Sequence, residues 1–261
     1  MPFANTNDGQ EIYYEQQGST GPVLVFVSGY MGITKIWQPL IDKFKPNYTC
    51  FAYDNRGYGH SSKPESADDY SIPRHAEDLA AVLGCLDLKA PVVLIAHSMG
   101  GNIASAYYLA NPTRVSGIVS SGTFFDGKTF QAAGVTPEDI TPNVDKPSQC
   151  VEFYANMGLD RTLALHAAQW PAYARKHNAQ ALFAFEMGND YTKITVPYLI
   201  IQGAEDKITP VDSCVRPIIE AMPFCELKVV KGANHFPITE AVDEVGDLIE
   251  AFVKSGEIGS H

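Results

Sequence analysis

The apolar residues of this chain fall into two patterns that alternate along most of its length. Short runs that are apolar throughout, such as Val23 to Val27 and Val92 to Ile95, are typical of buried parallel strands covered on both faces. Between such runs, apolar residues recur at helical spacing, as they do from Lys35 to Phe44 and from Ser71 to Leu86. Strands that alternate with helices predict an α/β fold with a mostly parallel, doubly wound sheet.

Other segments first extend and then interrupt this alternation. Further strands are predicted over residues 11–17, 48–53, 115–120, 196–202 and 225–230, and a closing helix over residues 239–253. From about Phe124 to Tyr191, helical pieces such as residues 149–157 and 161–169 follow one another without a predicted strand. With 261 residues, the chain is long enough for one α/β domain that carries an insertion.

Ser98 lies where an apolar strand breaks and a helix begins. Its neighbours Ala96, Gly100 and Gly101 are small, which allows strand and helix to approach closely around a strained turn. Such a turn exposes the hydroxyl and puts the amide of Met99 at a helix N-terminus, where an oxyanion is stabilised. Read alone, the Ser-Met-Gly-Gly run also fits a glycine-rich loop that only opens a helix.

Two other residues with catalytic chemistry also follow predicted strands. Asp206 lies in the turn after the strand at residues 196–202, and His235 lies in the loop after the last strand. The carboxyl ends of parallel strands meet at one edge of a sheet, which is where the sites of such sheets gather. Glu205 is adjacent to Asp206, but side-chain alternation points the two acids in different directions.

These segments resemble the α/β-hydrolase superfamily over essentially the whole chain. The run from Ala96 to Gly100 is similar to its nucleophile elbow, usually Gly-x-Ser-x-Gly, with alanine in place of the first glycine. The run from Asp54 to Ser61 resembles the family's Asp-x-Arg-Gly-x-Gly-x-Ser turn, in which we expect Asp54 and Arg56 to be structural. Serine, acid and histidine also follow in the family's chain order.

The resemblance implies a hydrolase with a Ser-His-Asp triad. Ser98 would be the nucleophile, His235 the base that takes its proton, and Asp206 the acid that orients the imidazole. The backbone N–H groups of Tyr30 and Met99 would form the oxyanion hole.

The chain departs from the family pattern at two positions. Ser28 replaces the usual histidine in the run Ser28 to Gly32, so that loop must be supported differently, and the run also fits a plain glycine turn after a strand. Ala96 adds one methyl group where the strand and the helix cross closely. We therefore expect the turn to be retained but slightly wider.

The resemblance also implies a helical cap over the serine. The cap, or lid, is expected at residues 124–191, inserted into a core formed by residues 1–123 and 192–261. A cap in this place also lines the substrate pocket, because it covers the serine. The residues expected in that pocket are Tyr30, Phe125, Phe153, Trp170 and Tyr173.

The implied activity is hydrolysis of a neutral, lipophilic carboxylic ester or lactone through an acyl-enzyme on Ser98, with no cofactor and no metal. Carboxylate recognition normally uses a positioned arginine. The cations of the cap, none of which adjoins a serine-facing motif, are Lys128, Lys146, Arg161, Arg175 and Lys176. Carbon–carbon bond hydrolases, cofactor-free perhydrolases and small-molecule receptors on the same scaffold share these features, so those alternatives stay open.

The composition argues against nucleic acid and membrane lipid as partners and leaves a small-molecule substrate as the expected one. Thirty acidic and 19 basic residues give a net charge of −11, which repels nucleic acid and anionic lipid. No apolar run approaches the roughly 20 residues that span a bilayer, and the start of the chain lacks a signal-peptide pattern. We therefore expect a cytoplasmic monomer or homodimer with no membrane partner, whose five scattered cysteines are reduced.

Overall fold

The computed structural model describes residues 2–141, 144–222 and 224–255, and its centre is an eight-stranded sheet. The strands are β1 Phe3–Asn5, β2 Glu11–Gln17, β3 Val23–Val27, β4 Thr49–Tyr53, β5 Val92–His97, β6 Val115–Ser121, β7 Tyr198–Gly203 and β8 Cys225–Val230. Their order across the sheet is β1-β2-β4-β3-β5-β6-β7-β8. The pairs β1-β2 and β2-β4 are antiparallel and all the others are parallel, which confirms the predicted fold class.

The central strands β3 and β5 are largely apolar because successive side chains point into different helical layers. Leu24 and Phe26 of β3 belong to one apolar core, whereas Val25 and Val27 belong to the other. β5 is divided between the two cores in the same way. A short run without a polar position therefore marks a strand that lies between two layers of helices.

Helices cover both faces of this sheet. They are α1 Gln38–Phe44, α2 Ile72–Gly84, α3 Met99–Ala110, α4 Gly127–Ala132, α5 Pro137–Ile140, α6 Pro147–Asn156, α7 Arg161–Ala167, α8 Ala172–Ala184, α9 Arg216–Ala221, α10 Pro237–Glu240 and α11 Val242–Lys254. α2 and α3 pack on one face through residues such as Leu79 and Ile103. α1 and α11 pack on the other face through residues such as Ile41 and Ile249.

Two elements differ from the sequence prediction. β1 is only three residues long, too short for a hydrophobic pattern to indicate it. The predicted closing helix is split at Ala241, where φ is −135° and ψ is 51°. The carboxylate of Glu240 accepts hydrogen bonds from the N–H groups of Asn234 and Phe236, both at 2.9 Å. α10 is thereby joined to the loop of His235, and α11 starts separately.

The segment between β6 and β7 is helical, and the described part of residues 124–191 contains no strand. Its two ends are joined by Asp126, whose carboxylate accepts from the N–H of Thr129 at 2.8 Å and from the N–H of Met187 at 3.1 Å. The Thr129 contact caps the first turn of α4. The Met187 contact fixes where the chain returns to the sheet.

Candidate active site

Ser98 is held in a backbone conformation that residues with a side chain rarely adopt. Its φ is 52° and its ψ is −125°, at the junction of β5 and α3. The junction is crowded, since a β-carbon at Gly100 would lie 2.2 Å from the carbonyl oxygen of Val27. Ala96 is buried next to this turn, and the strained conformation of Ser98 is retained although alanine replaces the usual glycine.

The structure brings Ser98, His235 and Asp206 together in one chain of hydrogen bonds. His235 Nε2 lies 3.3 Å from Ser98 Oγ, and His235 Nδ1 lies 2.9 Å from Asp206 Oδ2. Because an ionised carboxylate only accepts, Nδ1 carries the imidazole proton and Nε2 is free to accept the serine proton. The arrangement is therefore suited to withdraw a proton from the Ser98 hydroxyl.

Asp206 is clamped by five hydrogen bonds, which come from two side chains, two backbone amides and the imidazole. Oδ2 accepts from His235, from Gln202 Nε2 at 2.7 Å and from Thr209 Oγ1 at 2.7 Å, while Oδ1 accepts from the N–H groups of Ile208 and Thr209. Burial alone would raise the pKa of Asp206, but the charge of His235 and the hydrogen bonds from His235 and Thr209 hold that pKa well below its usual range. The acid is an anion at neutral pH.

His97, next to the serine, supports the His235 loop. Its Nε2 lies 2.9 Å from the carbonyl oxygen of His235, to which it donates, and its ring stacks on Phe236 with centroids 4.7 Å apart. Burial, followed by the neighbouring His235, lowers the pKa of His97 to about 3. His97 is therefore a weak base that stays uncharged at neutral pH, and its Nε2 is occupied by the carbonyl of His235.

The other candidate acids and histidines lie away from Ser98. Glu205 is exposed, whereas its neighbour Asp206 is buried. His75 is buried, and its Nε2 lies 2.7 Å from Asn178 Oδ1. His177 is half-buried and contacts the carbonyl of Glu65.

The loop after β3 packs directly against the serine turn. A β-carbon at Gly29 would lie 2.9 Å from the β-carbon of Ser98 and 3.1 Å from the amide nitrogen of Met99. In the described turns and loops, neither the Tyr30 nor the Met99 N–H group donates to another backbone group. Neither amide is therefore engaged by the backbone of those segments.

Ser28, which stands where the family usually has histidine, anchors this loop through a tryptophan. The indole N–H of Trp37 donates to Ser28 Oγ at 2.8 Å. The side-chain amide of Asn55 donates to the carbonyls of Ser28 and Gly29, at 2.8 and 3.1 Å. Two buried donors thus replace the support that the family histidine would give.

Asp54 and Arg56 have the structural positions that the sequence indicated. Asp54 accepts from the N–H groups of Thr34 and His60, at 2.7 and 2.9 Å. Arg56 is fully buried and pairs with Asp78 and with Asp8, whose carboxylate lies 2.9 Å away. We call Arg56, Asp78 and Asp8 the Arg56 cluster. It fixes the loop after β4 to α2 and to the N-terminal turn.

A small cavity of about 20 Å³ lies beside Ser98, which is room for about one water molecule. Its wall includes Tyr30 and Phe153, two of the five residues that the sequence placed there. The other apolar residues that line it are Met31, Phe130, Ile140, Met157, Leu182, Ile208 and Phe236. Most of these come from the helical segment between β6 and β7.

The remaining three residues expected in the pocket do not line this cavity, and their place in a substrate pocket stays a prediction. The ring of Phe125 packs against Tyr191, with centroids 4.7 Å apart. The Tyr173 hydroxyl donates to the carbonyl of Lys63 at 3.0 Å, which turns the ring toward the loop after β4. Trp170 is half-buried and does not line the cavity.

A larger concavity of about 1200 Å³ lies at the opposite edge of the sheet, where the parallel strands begin. It contains none of the three hydrogen-bonded residues of the site. In residues 2–141, 144–222 and 224–255, no group of three or more His, Cys, Asp or Glu side chains is placed to hold a metal ion. None of the helices in those ranges is both long enough and apolar enough to cross a membrane.

Sequence reasoning missed three residues that position the site: Gln202, Thr209 and Asn55. Gln202 was visible as a polar residue at the end of an otherwise apolar strand. Thr209 stands three residues after Asp206, a spacing at which an aspartate often accepts from the backbone of a turn. Asn55 lies inside the Asp54 to Ser61 motif, but its contact with Ser28 spans 27 residues, and no local pattern reveals it.

Comparison with known sequences identifies relatives over nearly the whole chain. Residues 22–155 match a family model described as the alpha/beta hydrolase fold. The chain is 31% identical over 262 residues to the non-heme chloroperoxidase CPO-A1 of Kitasatospora aureofaciens, an alignment that covers 90% of this chain and 92% of that protein.

Solved structures with the same architecture cover as much of the chain. A structure described as Est816, an N-acyl homoserine lactone degrading enzyme, superimposes with a TM-score of 0.81 at 27% identity, covering 97% of this chain and 100% of that one. The esterase EaEST of Exiguobacterium antarcticum superimposes with a TM-score of 0.83 at 22% identity, covering 97% of this chain and 98% of that one. The second likeness speaks for the fold alone.

Proposed function

Because the chain belongs to the alpha/beta hydrolase fold family, we propose that it is a serine hydrolase that cleaves a carboxylic ester or lactone through an acyl-enzyme on Ser98. The observation that carries the proposal is the hydrogen-bond chain from Ser98 through His235 to Asp206. A lactone-degrading enzyme among the structural neighbours supports the same class of substrate.

In the proposed reaction, Ser98 Oγ attacks the carbonyl carbon while His235 Nε2 takes its proton. The 3.3 Å between these atoms suits a free enzyme whose hydrogen bond tightens when substrate binds. Asp206, already an anion, stabilises the imidazolium that forms and keeps the proton on Nδ1. His235 then returns its proton to the leaving alcohol, and water releases the acyl group by the same steps in reverse.

The negative charge on the carbonyl oxygen would be met by the N–H groups of Tyr30 and Met99. Each such donor contributes about 3 to 4 kcal/mol to stabilisation of the transition state in enzymes where one has been removed. The macrodipole of α3, which begins at Met99, adds to the same effect. The helical segment of residues 124–191 would act as the cap that excludes bulk water from this charge.

The cavity wall supports a lipophilic acyl group. Phe130, Phe153 and Leu182 present apolar surface beside Ser98. The cavity is too small for an acyl chain in this conformation, so substrate entry requires the helices that carry those residues to move apart.

We would test the proposal with p-nitrophenyl acetate, butyrate and octanoate and with a γ- and a δ-lactone, comparing the wild type with Ser98→Ala. The expected result is turnover of at least one class, reduced by about 10⁴-fold or more in the variant. Undiminished turnover in Ser98→Ala would reject the mechanism. Binding of the panel without any turnover would favour a receptor on the same scaffold.

A second candidate activity is favoured by the similarity to the non-heme chloroperoxidase. Hydrogen peroxide would replace water in the deacylation step, so that its oxygen attacks the acyl carbon, Ser98 leaves as the alcohol, and a peracid is formed. We would measure bromination of monochlorodimedone in acetate buffer with bromide and peroxide. Bromination that is lost in Ser98→Ala supports this activity, and an equal rate without enzyme excludes it.

A further inference from the structure

The helical segment contains one buried arginine for which the proposed mechanism has no use. Arg175 of α8 is only 2% exposed, although it belongs to the set of cap cations that sequence reasoning placed away from the serine. Its guanidinium donates to the carbonyl of Val144 and to the sulfur of Cys150, the latter at 3.0 Å. Its Nε has no hydrogen-bond partner among the described residues.

No carboxylate of the described residues pairs with this guanidinium. The neighbouring cation Lys176 lies 3.5 Å from Asp145, and Arg56 in the core is paired with two acids. The groups around Arg175 are instead tyrosine hydroxyls, those of Tyr154 and Tyr30. Arg175 therefore differs from every other fully buried cation of the described chain in lacking an acid.

The tyrosines do not supply the missing negative charge. Burial raises the pKa of Tyr30, Tyr58 and Tyr154 above the ordinary value, so all three stay protonated at neutral pH. The hydroxyls of Tyr30 and Tyr58 are themselves buried without a hydrogen-bond partner of normal geometry. The unpaired charge of Arg175 therefore lies among three buried polar atoms without a hydrogen-bond partner. They are the hydroxyls of Tyr30 and Tyr58 and the Nε of Arg175 itself.

A buried charge of this kind is costly to keep. An isolated ion in the protein interior costs several kcal/mol after relaxation, and structural charges are usually neutralised by a partner. Guanidinium cannot avoid that cost by losing its proton, because it remains charged at any ordinary pH. Buried polar groups without partners call for an explanation, and an ion or ligand that completes them is one.

Tyr30 connects this charge to the reaction centre. Its backbone N–H lies on the loop that packs against Ser98, and its side chain lines the cavity. Its hydroxyl lies close enough to Arg175 to interact with that charge. The side chain of Tyr30 thus links the cavity beside Ser98 to the guanidinium.

We propose that Arg175, together with the hydroxyls of Tyr30, Tyr58 and Tyr154, binds a carboxylate of the substrate at the end remote from the scissile bond. This subsite rests on the proposed hydrolase function and narrows its substrate class to carboxylated esters or lactones. It replaces the expectation of a neutral substrate, which assumed that no cation of the cap lay near the serine. A carboxylate and a guanidinium match in charge and geometry, since the pair forms two parallel hydrogen bonds.

The subsite is tested with p-nitrophenyl half-esters of adipic, pimelic and suberic acid, each compared with its own methyl ester, which is neutral but otherwise identical. The ratio of kcat/KM for acid over methyl ester is expected to exceed about tenfold for at least one chain length in the wild type, as a charge-assisted pair implies. Arg175→Met should reduce that ratio to one or below. Lys176→Met, which removes the adjacent half-exposed cation of the same helix, should leave the ratio unchanged.

The outcomes separate the two proposals. Hydrolysis of both members of each pair at equal rates, or faster hydrolysis of the methyl ester, overturns the carboxylate subsite and leaves the hydrolase proposal standing. No hydrolysis of any compound overturns the hydrolase proposal itself. If Arg175→Met fails to fold, the subsite is tested by the wild-type ratio and by Tyr30→Phe. Tyr30→Phe removes one hydroxyl of the subsite but keeps the backbone amide, and it should lower the ratio of kcat/KM for acid over methyl ester.

Discussion

Two buried polar clusters lie at the same edge of the sheet and differ in how their acids are neutralised. In the first, Asp206 faces an imidazole and neutral donors. In the second, the Arg56 cluster, Asp78 and Asp8 face a permanent cation. In the proposed mechanism the first cluster passes a proton, because its cation forms when His235 accepts one. The second has a fixed charge distribution, which suits a support for the loop and no acid–base step.

The pKa directions follow this division. Burial opposes charge at Arg56, but hydrogen bonds and charges from Asp78 and Asp8 outweigh it and raise the pKa of the guanidinium above its usual value. At Asp8, burial is likewise outweighed by Arg56, and the pKa falls to about 2. Arg56 and Asp8 thus hold each other charged, whereas at Asp78 burial outweighs the hydrogen bonds and charge of Arg56 and raises the pKa to about 6. At Asp206, burial is outweighed by the charge of His235 and by hydrogen bonds from His235 and Thr209, so the pKa also falls.

The largest expected effect separates the clusters by activity. Asp206→Asn should lower kcat by about 10⁴-fold, because an amide no longer fixes the imidazole tautomer or stabilises its cation. Steady-state kinetics on an aryl ester would measure this. Asp78→Asn is the matched change in the Arg56 cluster, and kcat of its folded fraction should change little. An equal loss of kcat in both variants would contradict the distinction.

The next effect separates the clusters by stability. Arg56→Met should lower the free energy of unfolding by about 3 to 5 kcal/mol, because it leaves Asp78 buried without its partner. Urea denaturation followed by circular dichroism would measure the loss. The double variant Arg56→Met/Asp78→Leu should recover much of it, since no unpaired charge remains. Full additivity of the two changes would show that the pair is not coupled.

A smaller effect tests the clamp on Asp206. Thr209→Val removes the hydroxyl that donates to Oδ2 at 2.7 Å and keeps the backbone N–H that donates to Oδ1. Loss of one hydrogen bond to a charged group corresponds to about 1.5 to 3 kcal/mol, or a fall in kcat of about 10- to 100-fold. Thr209→Ser retains the hydroxyl and serves as the control. A fall in kcat of similar size in Thr209→Ser would assign the effect to packing.

The smallest effect concerns pH and involves one histidine beside each cluster, His97 next to His235 and His75 next to Asp78. Burial lowers the pKa of His97 and of His75 from 6.5 to about 3. Between those values the unfolded chain binds a proton at each site and the folded chain does not. Stability is therefore fully present above about pH 6.5 and falls with acidification, by up to about 1.4 kcal/mol per pH unit for each histidine.

Replacement of either histidine should make that dependence shallower. Denaturation of His75→Gln and His97→Gln between pH 4 and 7 would show whether each variant loses about one proton of uptake. Only His97→Gln should also lower kcat, because His97 holds the carbonyl of His235. A pH dependence unchanged in both variants would mean that other groups control acid stability.

The parts of this molecule that the sequence predicts are those with a local physical cause. The runs at β3 and β5 are apolar because both faces of those strands are covered, and the turn at Ser98 needs small neighbours. Asp206 and His235 each follow a strand, so their meeting at one sheet edge follows from the parallel order.

The parts that the sequence does not predict depend on tertiary contacts. The sequence offers no way to distinguish the aromatic residues Phe125, Tyr173 and Phe153. In the structure only Phe153, which lies on α6, lines the cavity beside Ser98. A count of the cations in residues 124–191 does not reveal that Arg175 is buried without an acidic partner. The split between α10 and α11 follows Glu240, whose hydrogen bonds to the His235 loop cannot be seen in the hydrophobic pattern of the sequence.

The central claim is that His235 and Asp206 make Ser98 a nucleophile, and covalent labelling tests it most directly. A fluorophosphonate is added to the wild type and to Asp206→Asn, and the site and rate of modification are read by peptide mass spectrometry. We predict a single adduct, on the peptide that contains Ser98, which forms much faster in the wild type than in Asp206→Asn. An adduct on another serine, or labelling of Ser98 at equal rates in the two proteins, would contradict the claim.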